Sequence, residues 1–311
     1  MSGFFGIDTS NYTTSAAVFD GGCITQNKRL LPVKEGQLGL RQSDAVFHHV
    51  QQLPQVAGPL LRGVRPAAVG VSSRPRDQEG SYMPCFTVGA GAAKMLASSW
   101  EVPCYEFSHQ AGHIAAALYS AGRLDLLEKT FLAFHVSGGT TETVLVQPDP
   151  VHIVGAKIVA SSLDLKGGQA VDRVGMMLGL KFPAGPELEK LARRSEKSFR
   201  IHPSMKGADC SLSGIENKCR KMLEDGEPKE DIARYCLDAL LAALDAMCGA
   251  LLEEYGDLPV LFAGGVMSNS IIRTSLEKKY GAVFAQPEFS SDNAAGIAVL
   301  ASVKAQREGI V

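Results

Sequence analysis

Phe131-Leu132-Ala133-Phe134-His135-Val136-Ser137-Gly138-Gly139-Thr140-Thr141-Glu142-Thr143-Val144-Leu145-Val146 reads as a strand, a turn of small polar residues and a returning strand. Short apolar, β-branched runs bounded by Gly and Ser carry the pattern of buried strands. The same device opens the chain: Phe4-Phe5-Gly6-Ile7-Asp8, a polar segment over 9–14, then Ser15-Ala16-Ala17-Val18-Phe19-Asp20. Two copies of one hairpin predict two related domains. The first turn is built on Asp8, Thr9 and Ser10, the second on Ser137, Gly138, Gly139 and Thr140. In both, backbone N–H groups are able to face an anion.

Between the hairpins the spacing predicts a helix over 46–61, a strand over 67–73, a loop rich in charge and proline over 74–79, a buried Ala- and Gly-rich helix over 87–100 and a short strand over 103–107. Beyond the second hairpin, helices over 171–178 and 188–194 flank the loop 181–186. The longest helical stretch is 230–255, and its Leu237, Leu240, Leu241, Leu244, Met247 and Leu251 read as core. A strand over 259–263 runs into Gly264-Gly265-Val266, a helix is expected over 275–279 and a short strand at 283–284. A helix over 292–306 closes the chain, with Ser290 or Ser291 as its N-cap. Strands alternating with helices make the fold class α/β.

The 311 residues, 45% hydrophobic and 21% charged, are ample for two cores. A net charge of −2 implies no general polyanion-binding surface, so a nucleic-acid partner would need a local basic patch. The seven cysteines (23, 85, 104, 210, 219, 236, 248) contain no C-x-x-C pair, which argues against a thiol zinc knuckle or a disulfide scaffold. They read as reduced, buried thiols of a cytoplasmic protein. The N-terminus has neither the basic region nor the apolar run of a signal peptide. No stretch reaches about 18 uninterrupted apolar residues, so no membrane span is expected.

Ser108-His109-Gln110-Ala111-Gly112-His113 places two histidines four apart, just before an apolar run. On a helix such residues share a face and can grip one divalent cation, with imidazole suiting Zn, Fe, Ni and Cu better than Mg or Ca. The bland reading is a capping or packing histidine. Glycine turns at 137–139 and 264–265 let backbone approach a phosphate or nucleoside. With the duplicated hairpin they describe the actin, sugar-kinase and heat-shock ATPase plan: an actin-like (ASKHA) fold of two related domains with a nucleotide and metal cleft between them. The expected division is 1–128, with the helix at about 292–311 packing back on it, and 129–291. Asp8 would then sit near a phosphate-bound cation, the alternative being a solvated turn aspartate.

The chain resembles the TsaD family, the tRNA threonylcarbamoyladenosine transferases once described as glycoproteases. Gly6-Ile7-Asp8-Thr9-Ser10 resembles the family's opening Gly-Ile-Glu-Thr-Ser, and His109-x-x-x-His113 its metal-binding histidines. Val136-Ser137-Gly138-Gly139-Thr140 resembles its second phosphate turn. Ala170-Val171-Asp172-Arg173-Val174, with Phe182-Pro183-Ala184-Gly185-Pro186-Glu187-Leu188-Glu189, resembles its adenosine and ribose segment. Ser211-Leu212-Ser213-Gly214, Gly264-Gly265-Val266-Met267-Ser268-Asn269 and Ser291-Asp292-Asn293-Ala294-Ala295 complete an ordered set that runs nearly end to end.

The resemblance implies that His109, His113 and Asp292 bind one divalent metal (Fe, Zn or Mg) and act in catalysis. His135 would be either a fourth ligand or a strand histidine hydrogen-bonded in the cleft. Asp172 and Glu189, the latter where the family usually has Asp, would hold ribose hydroxyls. Asp8, Ser137, Gly138, Gly139, Thr140, Gly185, Gly265 and Asn269 would line ATP or an acyl-adenylate. The implied reaction moves a threonylcarbamoyl group from its adenylate to an adenine amine of tRNA, with TsaB-like and TsaE-like proteins as partners. A homo-oligomer stays open. No Ser-His-Asp or Cys-His arrangement is legible, so the peptidase label gains no support.

Three segments depart from the family pattern. Asn11-Tyr12-Thr13-Thr14 replaces Cys-Asp-Glu-Thr, removing two acidic groups near the acyl donor. Gly39-Leu40-Arg41-Gln42-Ser43-Asp44 replaces Gly-Gly-Val-Val-Pro-Glu. Ser72-Ser73-Arg74-Pro75-Arg76-Asp77-Gln78-Glu79-Gly80 replaces a glycine-rich Gly-Pro-Gly-Leu loop. That pattern suits a divergent enzyme with the same substrate. It also suits a paralogue using another acceptor, as in the TobZ and HypF carbamoyltransferases. A non-catalytic nucleotide-binding subunit would lose the metal residues, whereas His109, His113 and Asp292 are all present. The cations between 190 and 221, interrupted by Glu196, Asp209 and Glu216, read as a phosphate-contacting patch or as a solvated helical face.

Overall fold

A computed structural model describes residues 3–10, 12–32 and 40–311, so Asn11 and Gly39, within two of the departing segments, lie outside the described residues. The chain forms two compact units, Met1–Lys129 with Gln147–Ala156 and Glu288–Val311, and Thr130–Val146 with Lys157–Pro287.

In the first unit β1 (Phe4–Asp8) and β2 (Thr13–Phe19) form the expected hairpin, with Asp8 opposite Ser15. It continues into β3 (Ile24–Leu30), an edge strand whose polar, half-exposed sequence gives no clear period. After α1 (Gln42–Ala57), β4 (Ala68–Arg74) pairs parallel with β1. Then α2 (Phe86–Trp100) leads to β5 (Cys104–Ser108), parallel to β4, and α3 (His109–Ser120) starts directly from its end. The sheet order is β3-β2-β1-β4-β5.

The second unit repeats this plan. β6 (Phe131–Val136) and β7 (Thr141–Asp149) form the second hairpin, and β8 (Ile153–Ser161) is its edge strand. Then come α4 (Gly167–Met177), α5 (Gly185–Ala192), a small ribbon of β9 (Ser204–Lys206) and β10 (Asp209–Ser211), α6 (Ser213–Glu224) and α7 (Lys229–Tyr255). β11 (Val260–Ala263) pairs parallel with β6; α8 (Ser270–Tyr280) and β12 (Val283–Phe284) follow. The order β8-β7-β6-β11-β12 is that of the first sheet, three antiparallel strands extended by two parallel ones. At the end of β11, Gly264 has φ +102°, and a Cβ there would meet the Val136 carbonyl oxygen at 2.3 Å, so only glycine lets these strand ends meet.

α7 has the length and apolar content of a membrane span, although it carries charges that interrupt the apolar run. Its Leu237, Leu240, Leu244, Met247 and Leu251 are buried in the unit's core, and Leu241 is partly buried against it. The seven cysteines are free; five are buried, Cys104 is half-buried and Cys23 is exposed.

The chain returns to the first unit with α9 (Ala295–Arg307), whose N-cap is Ala294 rather than Ser290 or Ser291. Asn293 accepts from Ala295 N at 3.0 Å and donates to the Phe289 and Ser291 carbonyls, forming a turn that delays the helix. Asp292 therefore stands before the helix, in that turn. α9 packs on β1, β4 and α3 at very short range. A Cβ on Gly296 would fall 1.8 Å from the Gly112 carbonyl oxygen and 2.6 Å from Ala116 N, and one on Gly112 would fall 2.9 Å from Ile297 Cδ1.

Candidate metal centre and nucleotide pocket

His109 and His113 stand on α3 one turn apart, with the helix's apolar side (Ala111, Ile114, Ala115, Leu118) buried. The glycine contact between α3 and α9 brings the Asp292 turn onto the histidine face. His109 Nε2 lies 2.9 Å from His113 Nε2, and Asp292 Oδ1 is 3.5 Å and 3.3 Å from these two atoms. The rings meet edge-on, with centroids 4.3 Å apart. Ligand atoms bound to one cation at about 2.1 Å, with angles between 90° and 110°, lie about 3.0–3.4 Å apart. The three separations, 2.9, 3.3 and 3.5 Å, lie close to that range, and two imidazoles with one carboxylate leave further coordination positions for a substrate oxygen. Thr13 donates to Asp292 Oδ2 at 3.5 Å.

Asp8, expected among the nucleotide residues, stands behind His109. It is fully buried. Its Oδ2 faces His109 Nδ1 at 2.7 Å and accepts from Ser72 Oγ at 2.7 Å, while Oδ1 accepts from Ser10 N at 2.8 Å. A carboxylate on the far nitrogen fixes the tautomer and aims Nε2 at the metal position. Sequence alone hides this role because Asp8 and His109 are 101 residues apart.

Burial pushes the His109 imidazole down, but the carboxylates of Asp8 and Asp292 outweigh it and raise His109 to about 10. Burial acts to raise Asp292, yet hydrogen bonds from His109 and His113 hold it well below the usual carboxylate range. Asp8 is likewise lowered: burial opposes, and the charge of His109 prevails. A histidine with a raised folded-state value stabilises the metal-free fold fully below its unfolded value of about 6.5. That contribution is lost as pH rises through about 10. Chelator-treated protein should therefore lose on the order of 1 kcal/mol of unfolding free energy per pH unit between about 7 and 10. Denaturant titrations at several pH values check this. Loading a divalent cation, which displaces the His109 proton, should flatten the profile.

One buried group escaped the sequence reading. Thr14 Oγ1 donates to Gln52 Oε1 at 3.0 Å, so His49 Nδ1 donates to Thr14 at 2.8 Å and Nε2 carries the bare lone pair. Burial lowers His49 to about 4 and keeps it neutral. Only the His48-His49 pair inside the helical spacing of 46–61 could have signalled it.

The second unit holds a pocket of about 410 Å³. It gathers six of the expected nucleotide residues: Gly138, Asp172, Gly185, Glu189, Gly265 and Asn269. Gly168, Val171, Pro183, Pro186, Leu237, Val266 and Ser268 complete the lining, and Leu237 serves both core and pocket. Ser137, Gly139 and Thr140 belong to the adjoining turn, closed by Ser137 N to Thr140 O (2.7 Å) and Thr140 N to Ser137 Oγ (3.1 Å). Asp172 Oδ1 accepts from Ala184 N at 2.8 Å, fixing the loop before α5. Glu189 Oε1 accepts from Ser270 N at 3.1 Å and from the Ser270 hydroxyl. Asn269 Oδ1 caps α8 through Ile271 N and Ile272 N, both at 3.1 Å. His135 is carried by β6 of this second unit.

Two sheets of one duplicated topology, flanked by helices, define an actin-like ATPase fold. Residues 48–299 match the family described as TsaD, tRNA N6-adenosine threonylcarbamoyltransferase, and the chain belongs to that family. Among solved structures it is similar to full-length HypF in the phosphate- and nucleotide-bound form, at 15% identity and a TM-score of 0.61, covering 98% of this chain and 55% of HypF. HypF from T. kodakarensis matches at 12% identity and 0.61, covering 99% and 48%. The chain thus spans about half the length of the HypF proteins it matches. A ROK family glucokinase from Streptomyces griseus, in complex with glucose and AMPPNP, matches at 14% identity and 0.54, covering 98% and 100%.

Proposed function

We propose that the chain is a metal- and adenine-nucleotide-dependent transferase that moves a threonylcarbamoyl group from threonylcarbamoyl-adenylate to an adenosine of tRNA. The observation that carries this reading is the His109, His113 and Asp292 cluster, with donor spacing that suits one divalent cation, in a member of the TsaD family. When bound, the cation supplies Lewis acidity, polarising an acyl carbonyl or phosphate oxygen of the donor. His109 and His113 would hold it through Nε2 and Asp292 through Oδ1, with Asp8 keeping the His109 proton on Nδ1. In the pocket, Gly138, Gly168 and Gly265 leave backbone close to the ligand, and Val171, Pro183 and Val266 offer apolar surface to a base. Asp172 and Glu189 each engage one oxygen with the protein, leaving the other for ribose hydroxyls. The adenine amine is a weak nucleophile, so much of the acceleration would come from positioning. TsaB-like and TsaE-like proteins would be its partners, and the cytoplasm its compartment.

A second reading, a carbamoyl-type transferase with another acceptor, is favoured by one observation: the segment 72–80 carries Arg74, Arg76, Asp77 and Glu79 where the family resembled has a glycine-rich loop. The test is a reconstituted assay with threonylcarbamoyl-adenylate, unmodified tRNA and the accessory proteins, read by mass spectrometry of the tRNA nucleosides. Threonylcarbamoyladenosine is the expected product. Its absence from protein that still binds metal and adenine nucleotide would reject the tRNA reaction and favour the second reading.

A further inference from the structure

We propose that the segment 72–80 is a strap that sets the metal-bearing helix, with Asp77 as a positioning residue for His109; this rests on the metal reading above. Its charges suggest a substrate-facing loop at first sight, but the contacts point inward. The Arg74 guanidinium donates from Nε and Nη2 to Asp77 Oδ1 at 2.9 and 2.5 Å, from Nη1 to Ser73 Oγ at 3.1 Å, and from Nη2 to His152 Nδ1 at 3.3 Å. A fork engaged this fully is a clamp on Asp77, not a free anion receptor.

Asp77 passes that constraint to α3. Its Oδ2 accepts the hydroxyl proton of Ser108 at 2.6 Å. With its one proton committed, Ser108 Oγ turns a lone pair to Ala111 N at 3.1 Å and caps the helix. Next to it, the Pro75 carbonyl accepts from Gln110 N at 3.1 Å, so the strap satisfies a second first-turn donor that the helix itself leaves orphaned. A third link comes from Ser72, whose hydroxyl donates to the same Asp8 oxygen that faces His109. His109 is the first residue of α3, whereas His113 lies a full turn inside it. Fraying of the first turn would therefore displace His109 first and open the 2.9 Å spacing of the two Nε2 atoms. The strap touches that turn at its cap, at its second N–H and at the carboxylate behind the ligand.

The test is titration of chelator-treated full-length chain with Co(II), followed by its d–d absorption, at a temperature where circular dichroism shows each variant folded. Asp77→Ala should weaken Co(II) binding by about 10- to 100-fold and shift the spectrum. Ser108→Ala breaks the same link from the helix side and should do likewise, so it serves if Asp77→Ala does not fold. Ser108→Thr, which keeps the hydroxyl, should bind within about threefold of the parent, and Asp77→Ala/Ser108→Ala should be no weaker than the worse single variant. Unchanged affinity and spectrum in Asp77→Ala and Ser108→Ala, with a parent that binds, would overturn the strap alone. A parent that binds no Co(II) would overturn the metal reading and the strap with it.

Discussion

Alanine at His109 or His113 should leave the protein without stoichiometric metal and lower transfer by about 1,000-fold or more, the scale of several kcal/mol of charge stabilisation at the reacting oxygen. The cluster has three donors, so losing one imidazole leaves a single histidine and a carboxylate that Thr13 also engages. Asp292→Ala should weaken binding less, because His109 and His113 still offer two nitrogens 2.9 Å apart. Metal analysis after dialysis, followed by single-turnover transfer, checks both. Full metal content in the His109→Ala/His113→Ala double variant would reject the assignment.

Gly296→Ala should strongly destabilise the first unit. The new Cβ would fall 1.8 Å from one backbone atom of α3 and 2.6 Å from another, and neither can swing away as a side-chain tip would. Forcing the helices apart costs about 3 kcal/mol or more. For a unit of this size, that corresponds to a drop in melting midpoint of roughly 6–12 °C. The chain's one tryptophan, Trp100, closes α2 in the same unit, so its fluorescence follows this transition. The same variant should lose metal, since the α3–α9 approach delivers Asp292 to the histidines. Gly91→Ala, on α2 with nothing within 4 Å of the added Cβ, is the control and should be neutral or slightly stabilising.

The two hairpins were legible because buried strands write continuous apolar runs, broken only by the small residues of their turns. β3 was not, because its polar residues, such as Gln26, Lys28 and Arg29, are half-buried or exposed and follow no clean alternation; β8 was not, because Gly155 and the exposed Lys157 break its apolar residues into runs too short to carry a period. α6 was hidden by its charge: Lys218, Arg220 and Lys221 outweigh the buried stripe of Ile215, Cys219 and Met222. The histidine pair was readable from its spacing on one helix, whereas the third donor was named through family resemblance. Its placement needed the turn made by Asn293, which holds Asp292 outside α9. Asp8 and Asp77 act through partners distant in sequence, Asp8 on His109 and Asp77 on Ser108, and no local pattern reveals such pairs. Asn269 illustrates the reverse limit: the same side chain lines the pocket and caps α8, and a motif match alone would credit only the first role.

The proposed metal centre is one divalent cation held by His109, His113 and Asp292. X-ray absorption spectroscopy of metal-loaded protein, in the parent and in His113→Ala, tests it most directly. The expected spectrum has a coordination sphere of nitrogen and oxygen with two imidazole signatures, and the variant loses the loaded metal or one imidazole signature. A sulfur-containing shell, or a parent shell of oxygen alone that His113→Ala leaves unchanged, would contradict it.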